Sequence, residues 1–359
     1  MVHYRYFMGG TTAKGYVNFY ENLIEQLDRV VYIEGGFTSI VSPILQRIAN
    51  QFSQDHTVEY IHNHLMPDQL EGIVIPSLSI GVFDRTKMNQ KRLVYPMLYE
   101  KLVYFGDGYD QDYLKEHEYE LVQYHEEVKR LYQEAINHYQ TALEHHHQVE
   151  KIYVDYLNAR KANYETDQLI KQLFENNNLN KPGSVKHRYL GAATPEGPID
   201  YVMELTDELS QRIFIKGRSG TGKSTMLRKI AHEAKDRGFD VEVYHCGFDP
   251  GSLDMLILRE LNVAIFDATA PHEHDPQKEA DEIMDVYELF VDGNPDVVHQ
   301  DRLRKYKAAY KDEMKNAKET LKEIKEHQLN FERIYRASCA PEFIEEVEND
   351  LLDWMKKLV

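Results

Sequence analysis

The residues with the clearest chemistry lie between Gly217 and Ser224, where Gly-Arg-Ser-Gly-Thr-Gly-Lys-Ser fits the Walker A pattern G-x-x-x-x-G-K-[ST]. Glycines let a backbone curve around a phosphate so that its N–H groups point at the anion. In such a loop Lys223 would reach the β- and γ-phosphates of a nucleotide, and the hydroxyl of Ser224 would ligate Mg²⁺. The predicted nucleotide contacts are Gly217, Arg218, Ser219, Gly220, Thr221, Gly222, Lys223, Ser224 and Thr225.

The sequence on either side of this loop supplies the elements that must position it. Arg212–Lys216 is a short run of β-branched and aromatic residues, which is typical of a buried strand. After the loop, apolar residues recur at helical spacing from Lys223 to Arg237, and Gly238 marks the end of that helix. Strand, glycine-rich turn and helix form the context in which this motif binds phosphate, and they disfavour the alternative of a chance glycine-rich turn.

Asp267 ends a second apolar run, Asn262–Asp267, downstream of the loop. A carboxylate at this place holds Mg²⁺ opposite the loop serine in P-loop NTPases, so Asp267 and Lys223 are the predicted catalytic residues and Asp267 the predicted partner of Ser224 at the metal. An aspartate that caps a helix or turn is the alternative. No acid follows Asp267 directly, which predicts slow hydrolysis or a general base from elsewhere in the chain. The candidates for that base are Glu273, Asp249 and Glu242.

Two further patterns bear on the cofactor. The spacing of His272-Glu273-His274-Asp275 is poor for a tetrahedral metal site, which favours a solvated loop over a metal centre. No N-K-x-D element follows Asp267, and P-loop GTPases usually use such an element to select guanine. ATP with Mg²⁺ is therefore the predicted cofactor pair, with ATP favoured over GTP.

Composition limits the class of protein and its partners. A chain of 359 residues favours two domains. The net charge of −18 argues against nucleic acid as the main partner. Two cysteines, Cys246 and Cys339, suit a reducing compartment. The first residues lack the apolar core of a signal peptide, and no apolar run is long enough to span a bilayer. The chain is therefore predicted to be cytoplasmic, without a membrane partner.

The chain also repeats itself. A shift of 182 positions (217 − 35 = 182) places Gly35 on Gly217 and aligns the strands that precede them. After one inserted residue the shift becomes 183, and Asp84 aligns with Asp267. Matches at apolar positions continue through the whole half. The sequence therefore predicts two tandem copies of one domain, residues 1–182 and 183–359, separated by a turn-rich linker at 176–184.

The two copies differ in the glycine-rich loop. Copy one has Ile40 where copy two has Gly222, and Val41 where copy two has Lys223. A β-branched residue disfavours the positive φ that glycine allows, and valine offers no charge to a phosphate. Copy one is therefore predicted to be a degenerate P-loop copy that serves as a structural partner, whereas copy two is predicted to be active.

Apolar runs that alternate with helical segments predict an α/β fold in each copy, with a parallel sheet covered by helices on both faces. In copy two we expect a loop, a helix and strands that surround the P-loop elements. These expected segments are a loop at 191–197, a helix near 199–210, strands at 241–245 and 257–258, and a last strand near 288–291.

Each copy then becomes charged and helical, at about 112–176 and about 298–358. Heptad ladders of this kind predict long helical or coiled-coil arms, and amphipathic helices packed on the sheet are the alternative. Each arm would cover its stripe with its own returning helix, near 164–174 or 343–358, or with the other arm, and a protein partner could bind there. The ladders are Leu121, Val128, Ala135, Ala142, Val149 and Tyr156 in copy one, and Leu303, Tyr310, Ala317, Ile324 and Phe331 in copy two.

Three runs, 214–225, 243–250 and 265–272, resemble those of a family of poorly characterised bacterial tandem P-loop ATPases. The resemblance spans essentially the whole chain. It implies two P-loop halves and nucleotide binding, and it implies no particular substrate. The chain departs from the two-site pattern at Ile40 and Val41.

Three functions are compatible with these residues. The first is an ATPase that hydrolyses ATP slowly at copy two and couples it to the arrangement of the copies. The second is a small-molecule or nucleotide kinase in which the Asp249-Pro250 loop and the arm form the acceptor site and lid. The third is a non-catalytic scaffold that senses nucleotide. If the copies pack as a pseudo-dimer, a basic residue of copy one, Arg85 or Arg47, is predicted to approach the γ-phosphate as an arginine finger.

Overall fold

The computed structural model describes residues 3–88, 93–175, 177–270 and 272–358. Residue 176, the first of the predicted linker, and residue 271, in the run 265–272 that resembles the ATPase family, lie outside the described residues. Two similar α/β domains follow one another along the chain, and each contains a six-stranded sheet and long helices. In the described ranges, no helix combines the length and the apolar character needed to cross a membrane.

In the first domain the main sheet has the spatial order β1-β5-β6-β7-β4-β8, and β2 pairs with β3 in a separate hairpin. The strands are β1 (Tyr4–Tyr6), β2 (Gly9–Thr12), β3 (Gly15–Asn18), β4 (Arg29–Glu34), β5 (Glu59–His62), β6 (Leu70–Ile75), β7 (Ile80–Asp84) and β8 (Glu100–Tyr104). The helices are α1 (Tyr20–Ile24), α2 (Thr38–Phe52), α3 (Gln111–Glu116), α4 (Glu118–Val154) and α5 (Ala159–Phe174).

The second domain repeats this order strand for strand. Its strands are β9 (Val185–Tyr189), β10 (Gly191–Thr194), β11 (Gly197–Asp200), β12 (Gln211–Lys216), β13 (Val241–His245), β14 (Leu253–Leu258), β15 (Val263–Asp267) and β16 (Asp281–Asp285). The sheet order is β9-β13-β14-β15-β12-β16, with β10 and β11 forming the hairpin. The helices are α6 (Val202–Thr206), α7 (Lys223–Asp236), α8 (Val286–Phe290), α9 (Pro295–Val298), α10 (Gln300–Ser338) and α11 (Pro341–Lys356).

Both sheets are mixed and mostly parallel, whereas the sequence predicted parallel sheets. In the first domain β6 runs antiparallel to β5 and β7, and in the second β14 runs antiparallel to β13 and β15. The reason is the length of the connections. A parallel crossover needs a dozen or more residues, usually a helix, and the chain passes from β13 to β14 and from β14 to β15 in short turns.

Two predictions of local structure in the second domain need correction at its start. The segment 191–197, predicted as a loop, belongs largely to the hairpin of β10 and β11. The helix expected near 199–210 is limited to α6, because Ile199 lies in β11 and pairs with Ala192. The hairpin is the exact counterpart, at a shift of 182, of the hairpin formed by β2 and β3 in the first domain.

The strand predicted near 288–291 is also wrong, because that segment lies largely in the helix α8. Val286 and Phe290 are one helical turn apart and both are buried, and Asp285 accepts hydrogen bonds from the N–H groups of Tyr287 and Glu288 at the start of the helix. The edge strand β16 lies just before this helix and pairs with β12. A short apolar run fits a buried helical turn as well as a strand, which explains the error.

The two sheets meet at residues that are equivalent in the two copies. Phe7 and Tyr189 are 182 positions apart (189 − 7 = 182), and they form an antiparallel bridge between the sheet edges. The N–H of Phe7 donates to the carbonyl of Tyr189 at 3.2 Å, and the N–H of Tyr189 donates to the carbonyl of Phe7 at 2.9 Å. A residue that pairs with its own equivalent is the signature of a twofold axis, so the two domains form a pseudosymmetric dimer within one chain.

The long helices α4 and α10 pack against each other, as one of the predicted alternatives required. Ala135 and Ala317 stand at equivalent rungs of the two ladders, are both fully buried, and lie in one apolar cluster with Leu131 and Leu321. The two arms therefore cover their apolar stripes with one another.

The helices that follow the arms are exchanged between the domains. Helix α5 packs on α7, and its residues Leu169 and Phe174 belong to the core of the second sheet. Helix α11 packs on α2, and its residues Leu351 and Met355 belong to the core of the first sheet. Each domain therefore completes the core of the other, which ties the two sheets and the two arms into one assembly.

Candidate functional site

The glycine-rich loop joins β12 to α7, and its backbone has the curvature that the motif predicts. Gly220 and Gly222 have φ angles of 82° and 90°, a region that residues with a side chain avoid. Gly222 directly precedes α7, so the loop and the positive end of the helix face the same space. The backbone N–H and the hydroxyl of Thr221 both donate to the carbonyl of Arg218, at 3.3 and 2.7 Å, which holds the turn closed.

Lys223 and Asp267, the two predicted catalytic residues, lie in contact. The ammonium of Lys223 donates a hydrogen bond of 2.8 Å to the carbonyl of Arg218 and lies 3.4 Å from Oδ2 of Asp267. The structure thus places the cation between the loop backbone and the end of β15. A phosphate bound by the loop would meet this ammonium directly.

The two carboxylate oxygens of Asp267 have different surroundings. Oδ1 accepts hydrogen bonds from the N–H of Thr269 at 3.1 Å and from its hydroxyl. Asp84 of the first domain accepts the same two bonds from Thr86, at 2.9 and 2.6 Å, so this turn is a structural feature of both copies. Oδ2 faces Lys223, and Val41 stands in place of that lysine in the first domain. One oxygen of Asp267 is therefore held in a turn that both copies share, whereas the other lies beside Lys223.

Ser224 also has a structural bond that both copies share. Its Oγ accepts from the N–H of Leu253 at 3.0 Å, and Oγ of Ser42 accepts from Leu70 at 2.9 Å. Among the described residues, no three His, Cys, Asp or Glu side chains are grouped to hold a metal by themselves. This donor set fits Mg²⁺, which commonly takes one or two protein oxygens and completes its shell with phosphate and water.

The loop opens into a cavity of about 490 Å³, within the size range of small-molecule sites. The β13–β14 turn and the hairpin of β10 and β11 form part of its wall. Both arms also reach it: His146 and Glu150 from α4, and Tyr310 and Met314 from α10. The first domain therefore supplies one wall of a cavity that contains the glycine-rich loop of the second.

Asp254, for which the sequence predicted no role, also lines this cavity. It lies one residue before Met255, which pairs with Phe266, and Asp267 lies one residue after Phe266. The two aspartates therefore stand side by side at the ends of β14 and β15. Burial raises the pKa of Asp254 to about 6, opposed by the charge of His272 and assisted by that of Asp267. The signal in the sequence that could have identified Asp254 is the repeat, which aligns it with an acid of the first domain, Glu71 (254 − 71 = 183).

The surroundings of this acid differ between the copies. Glu71 is fully buried and accepts hydrogen bonds from the hydroxyl of Tyr20 at 2.6 Å and from the amide of Asn63 at 3.2 Å. The equivalent residues in the second domain, in the same order, are Asp254, Val202 and Cys246. Val202 has no donor, whereas the Cys246 side chain is still hydrogen-bonded to Asp254, and both Cys246 and Asp254 line the cavity.

The two histidines of the segment predicted to be a solvated loop share one carboxylate. His272 Nδ1 lies 2.8 Å from Oδ2 of Asp200, and His274 Nε2 lies 3.0 Å from Oδ1 of the same residue. Burial acts to lower the pKa of His272, but the hydrogen bond to Asp200 and the charge of Asp254 outweigh it and raise that pKa. The two histidines are therefore held by Asp200, with His272 in the cavity wall, whereas Glu273 and Asp275 of the same segment are exposed as predicted for a solvated loop.

Each of the three acids that the sequence predicted as a candidate general base is either paired with a cation or exposed. Asp249 lines the cavity, but it forms an ion pair of 2.9 Å with Lys14 of the first domain. Glu273 is exposed. Glu242 is buried and pairs with Arg188 and Arg259.

The two arginines predicted as fingers are held within other contacts. Arg85 pairs with Glu34 at 2.7 Å, and Arg47 pairs with Glu348 of α11. Lys14 of the first domain, for which the sequence predicted no role, instead pairs with Asp249 of the cavity wall.

In the first domain the equivalent loop is filled by side chains of the chain itself. Ile40 and Val41 are buried, and a Cβ at Gly36 would stand 2.8 Å from Cγ2 of Val41. The backbone N–H of Ser39 donates a hydrogen bond of 2.8 Å to Oε2 of Glu332, which comes from α10. A carboxylate and apolar groups therefore occupy this loop, which supports its interpretation as degenerate.

Comparisons of the chain with known protein families, with curated proteins and with solved structures found no match. The similarity that the structure does show is between the two α/β domains of the chain.

Proposed function

We propose that the second domain binds ATP with Mg²⁺ in the loop Gly217–Ser224 and hydrolyses it slowly. The observation that carries this proposal is the contact between Lys223 and Asp267 at the mouth of the loop, where the cavity begins. On the same ground, and on the paired domains, we propose kinship with the tandem P-loop ATPases that the sequence resembles.

Each residue of the loop has a defined task in this proposal. The N–H groups of the loop and the start of α7 bind the phosphates. Lys223 neutralises charge on the β- and γ-phosphates, and Ser224 and Asp267 hold Mg²⁺, which when bound neutralises the charge that develops as phosphate leaves. Ala268 directly follows Asp267, so the end of β15 supplies no second acid to orient the attacking water, and such an acid must come from another part of the chain.

The arms give the proposed reaction a means to change the arrangement of the domains. His146 of α4 forms a hydrogen bond of 2.8 Å between its Nε2 and Oγ of Ser219 in the loop. Tyr310 of α10 lines the same cavity from the other side. A nucleotide bound there would contact both arms at once, so its binding and release would change how the arms and the two domains pack.

A phosphotransfer reaction is the second candidate, and the cavity gives it a specific basis. The cavity extends past the loop to Ala192, Cys246 and Tyr310, which leaves space beyond the phosphates for an acceptor. In that case Asp254 would accept the proton of the acceptor hydroxyl. Transfer of labelled γ-phosphate to a metabolite mixture would favour a kinase, whereas release of phosphate without an acceptor would favour an ATPase. Binding without turnover would favour a nucleotide-sensing scaffold.

Titration calorimetry with ATP and Mg²⁺ tests the proposed binding. We expect about one nucleotide per chain, because the first loop is filled, and we expect Lys223→Ala to lose most of the binding. Lys229→Ala is the matched control, because it removes the same charge from the same helix at a residue that pairs with Asp167 instead. Equal binding by the two variants, or two nucleotides per chain, would contradict the proposal.

A further inference from the structure

The arm of the first domain lies directly against the glycine-rich loop of the second. A Cβ at Gly220 would stand 2.6 Å from the carbonyl oxygen of Glu150 in α4, so a larger residue at Gly220 would collide with the helix backbone. One turn earlier in α4, His146 is hydrogen-bonded to Ser219. These two contacts fix the face of α4 that carries Glu150 beside the loop.

The pseudosymmetry shows how far a glutamate at this helix position can reach. Glu332 in α10 is the equivalent of Glu150 (332 − 150 = 182), and it lies against the loop of the first domain. Its carboxylate accepts the hydrogen bond from the backbone N–H of Ser39, the equivalent of Thr221 (221 − 39 = 182). The side chain of a glutamate at this position is therefore long enough to contact the loop where a phosphate oxygen would bind.

Glu150 itself has a different environment from its buried equivalent. Glu150 is partly exposed, whereas Glu332 is buried, and Glu150 lines the same cavity as Lys223 and Asp267. In this domain the N–H of Thr221 donates to Arg218 within the loop. Glu150 therefore lies in the wall of the cavity, and its carboxylate lies 3.9 Å from Nε2 of His147 in the same helix.

We propose that Glu150 is a catalytic residue that the first domain supplies to the second, where it orients and deprotonates the attacking water. This rests on the proposed ATPase function. The water oxygen forms a bond to the γ-phosphorus while the bond from that phosphorus to the bridging oxygen of ADP breaks. The water proton passes to the carboxylate of Glu150 and from there to the released phosphate, so Glu150 is regenerated.

This role explains two features of the chain together. The acid that is missing after Asp267 comes from α4, an element far from the loop in sequence and adjacent to it in space. A first domain with a filled loop remains necessary, because its arm completes the site of the second. Asp254 is the competing candidate within the same cavity, and the experiment must separate the two.

The test compares Glu150→Gln with Glu332→Gln, the same substitution at the equivalent position of the other arm. Calorimetry measures ATP binding with Mg²⁺, and a phosphate-release assay measures turnover. For Glu150→Gln we expect binding within about threefold of the parent and turnover reduced about 100-fold or more, the usual contribution of general acid–base catalysis. For Glu332→Gln we expect a lower melting temperature and turnover close to that of the parent.

Each other outcome overturns the role of Glu150 in a recognisable way. Turnover within threefold of the parent in Glu150→Gln would exclude it, and tighter ATP binding with that result would show that Glu150 competes with phosphate. Loss of turnover in Asp254→Asn alone would assign the base to β14 instead. A parent protein that binds ATP and releases no phosphate would remove the catalytic role while binding stands. A parent that binds no ATP would remove the proposed function itself.

Discussion

Arg188 donates hydrogen bonds of 3.0 and 2.8 Å to the two carboxylate oxygens of Glu59, and this pair joins the second domain to the first. Glu242, the equivalent of Glu59 (242 − 59 = 183), lies 3.4 Å from the same guanidinium. Tyr6, the equivalent of Arg188 (188 − 6 = 182), packs under it with its ring 4.1 Å away. One buried arginine therefore pairs with equivalent glutamates of both domains, beside the pseudosymmetry axis.

Arg188→Leu is expected to destabilise the protein by about 3–5 kcal/mol, because it leaves the buried carboxylate of Glu59 without its arginine and removes one of the two arginines that pair with Glu242. Equilibrium unfolding in urea measures the change. Arg130→Leu is the control, because Arg130 is exposed and its ion pairs with Glu127 and Glu134 lie on the surface of α4, where such pairs contribute little. Similar losses of stability in both variants would show that the buried ion pair of Arg188 contributes no more than a surface ion pair.

The same network predicts how stability depends on pH. Burial acts to raise the pKa of Glu242, but Arg188 and Arg259 outweigh it and lower that pKa to about 2. A carboxyl group whose pKa is lower in the folded state stabilises the protein above its unfolded pKa, about 4.3, and loses that contribution as the pH falls. Glu242→Gln should therefore be less stable than the parent at pH 7, and the difference should shrink between about pH 5 and pH 2.

Urea unfolding of the two proteins at a series of pH values measures this convergence. A difference that stays constant from pH 7 to pH 3 would mean that the carboxylate charge of Glu242 does not stabilise the interface.

Asp267→Asn tests the assignment of the two oxygens of that residue. We expect a folded protein, because the amide oxygen can still accept the hydrogen bonds from Thr269, and we expect weaker binding of ATP in the presence of Mg²⁺. Calorimetry with Mg²⁺ and with EDTA separates the metal-dependent part. Asp84→Asn is the matched control at the same turn of the first domain and should leave nucleotide binding unchanged. Unfolding of Asp267→Asn with unaltered affinity per folded molecule would identify Asp267 as a turn residue only.

The internal repeat was the most informative feature of the sequence. Because equivalent strands share one register, the α/β class, the paired copies and the ladders of both arms could be predicted from positions such as Gly35 and Gly217. A strand within β14 could be predicted, but its antiparallel direction could not, because an apolar run does not reveal strand direction. Asp254 and Glu150 were missed for a related reason. Each reaches the loop from a neighbouring strand or from the other domain, and linear spacing around Lys223 contains no trace of such a contact.

The packing of α4 against α10 leads to a prediction about both the stability of the protein and ATP binding at the glycine-rich loop. Ala135 and Ala317 are fully buried between α4 and α10, so Ala135→Asp and Ala317→Asp each place a charge without a partner in an apolar cluster. We expect each to destabilise the protein by a few kcal/mol, with Gln123→Asp, at an exposed site of α4, as the control. Thermal melts measure this, and melting within about a degree of the parent would mean that the arms do not pack in solution. Because α4 also fixes Glu150 beside Gly220, Ala135→Asp should in addition weaken ATP binding per folded molecule, whereas Gln123→Asp should leave it unchanged.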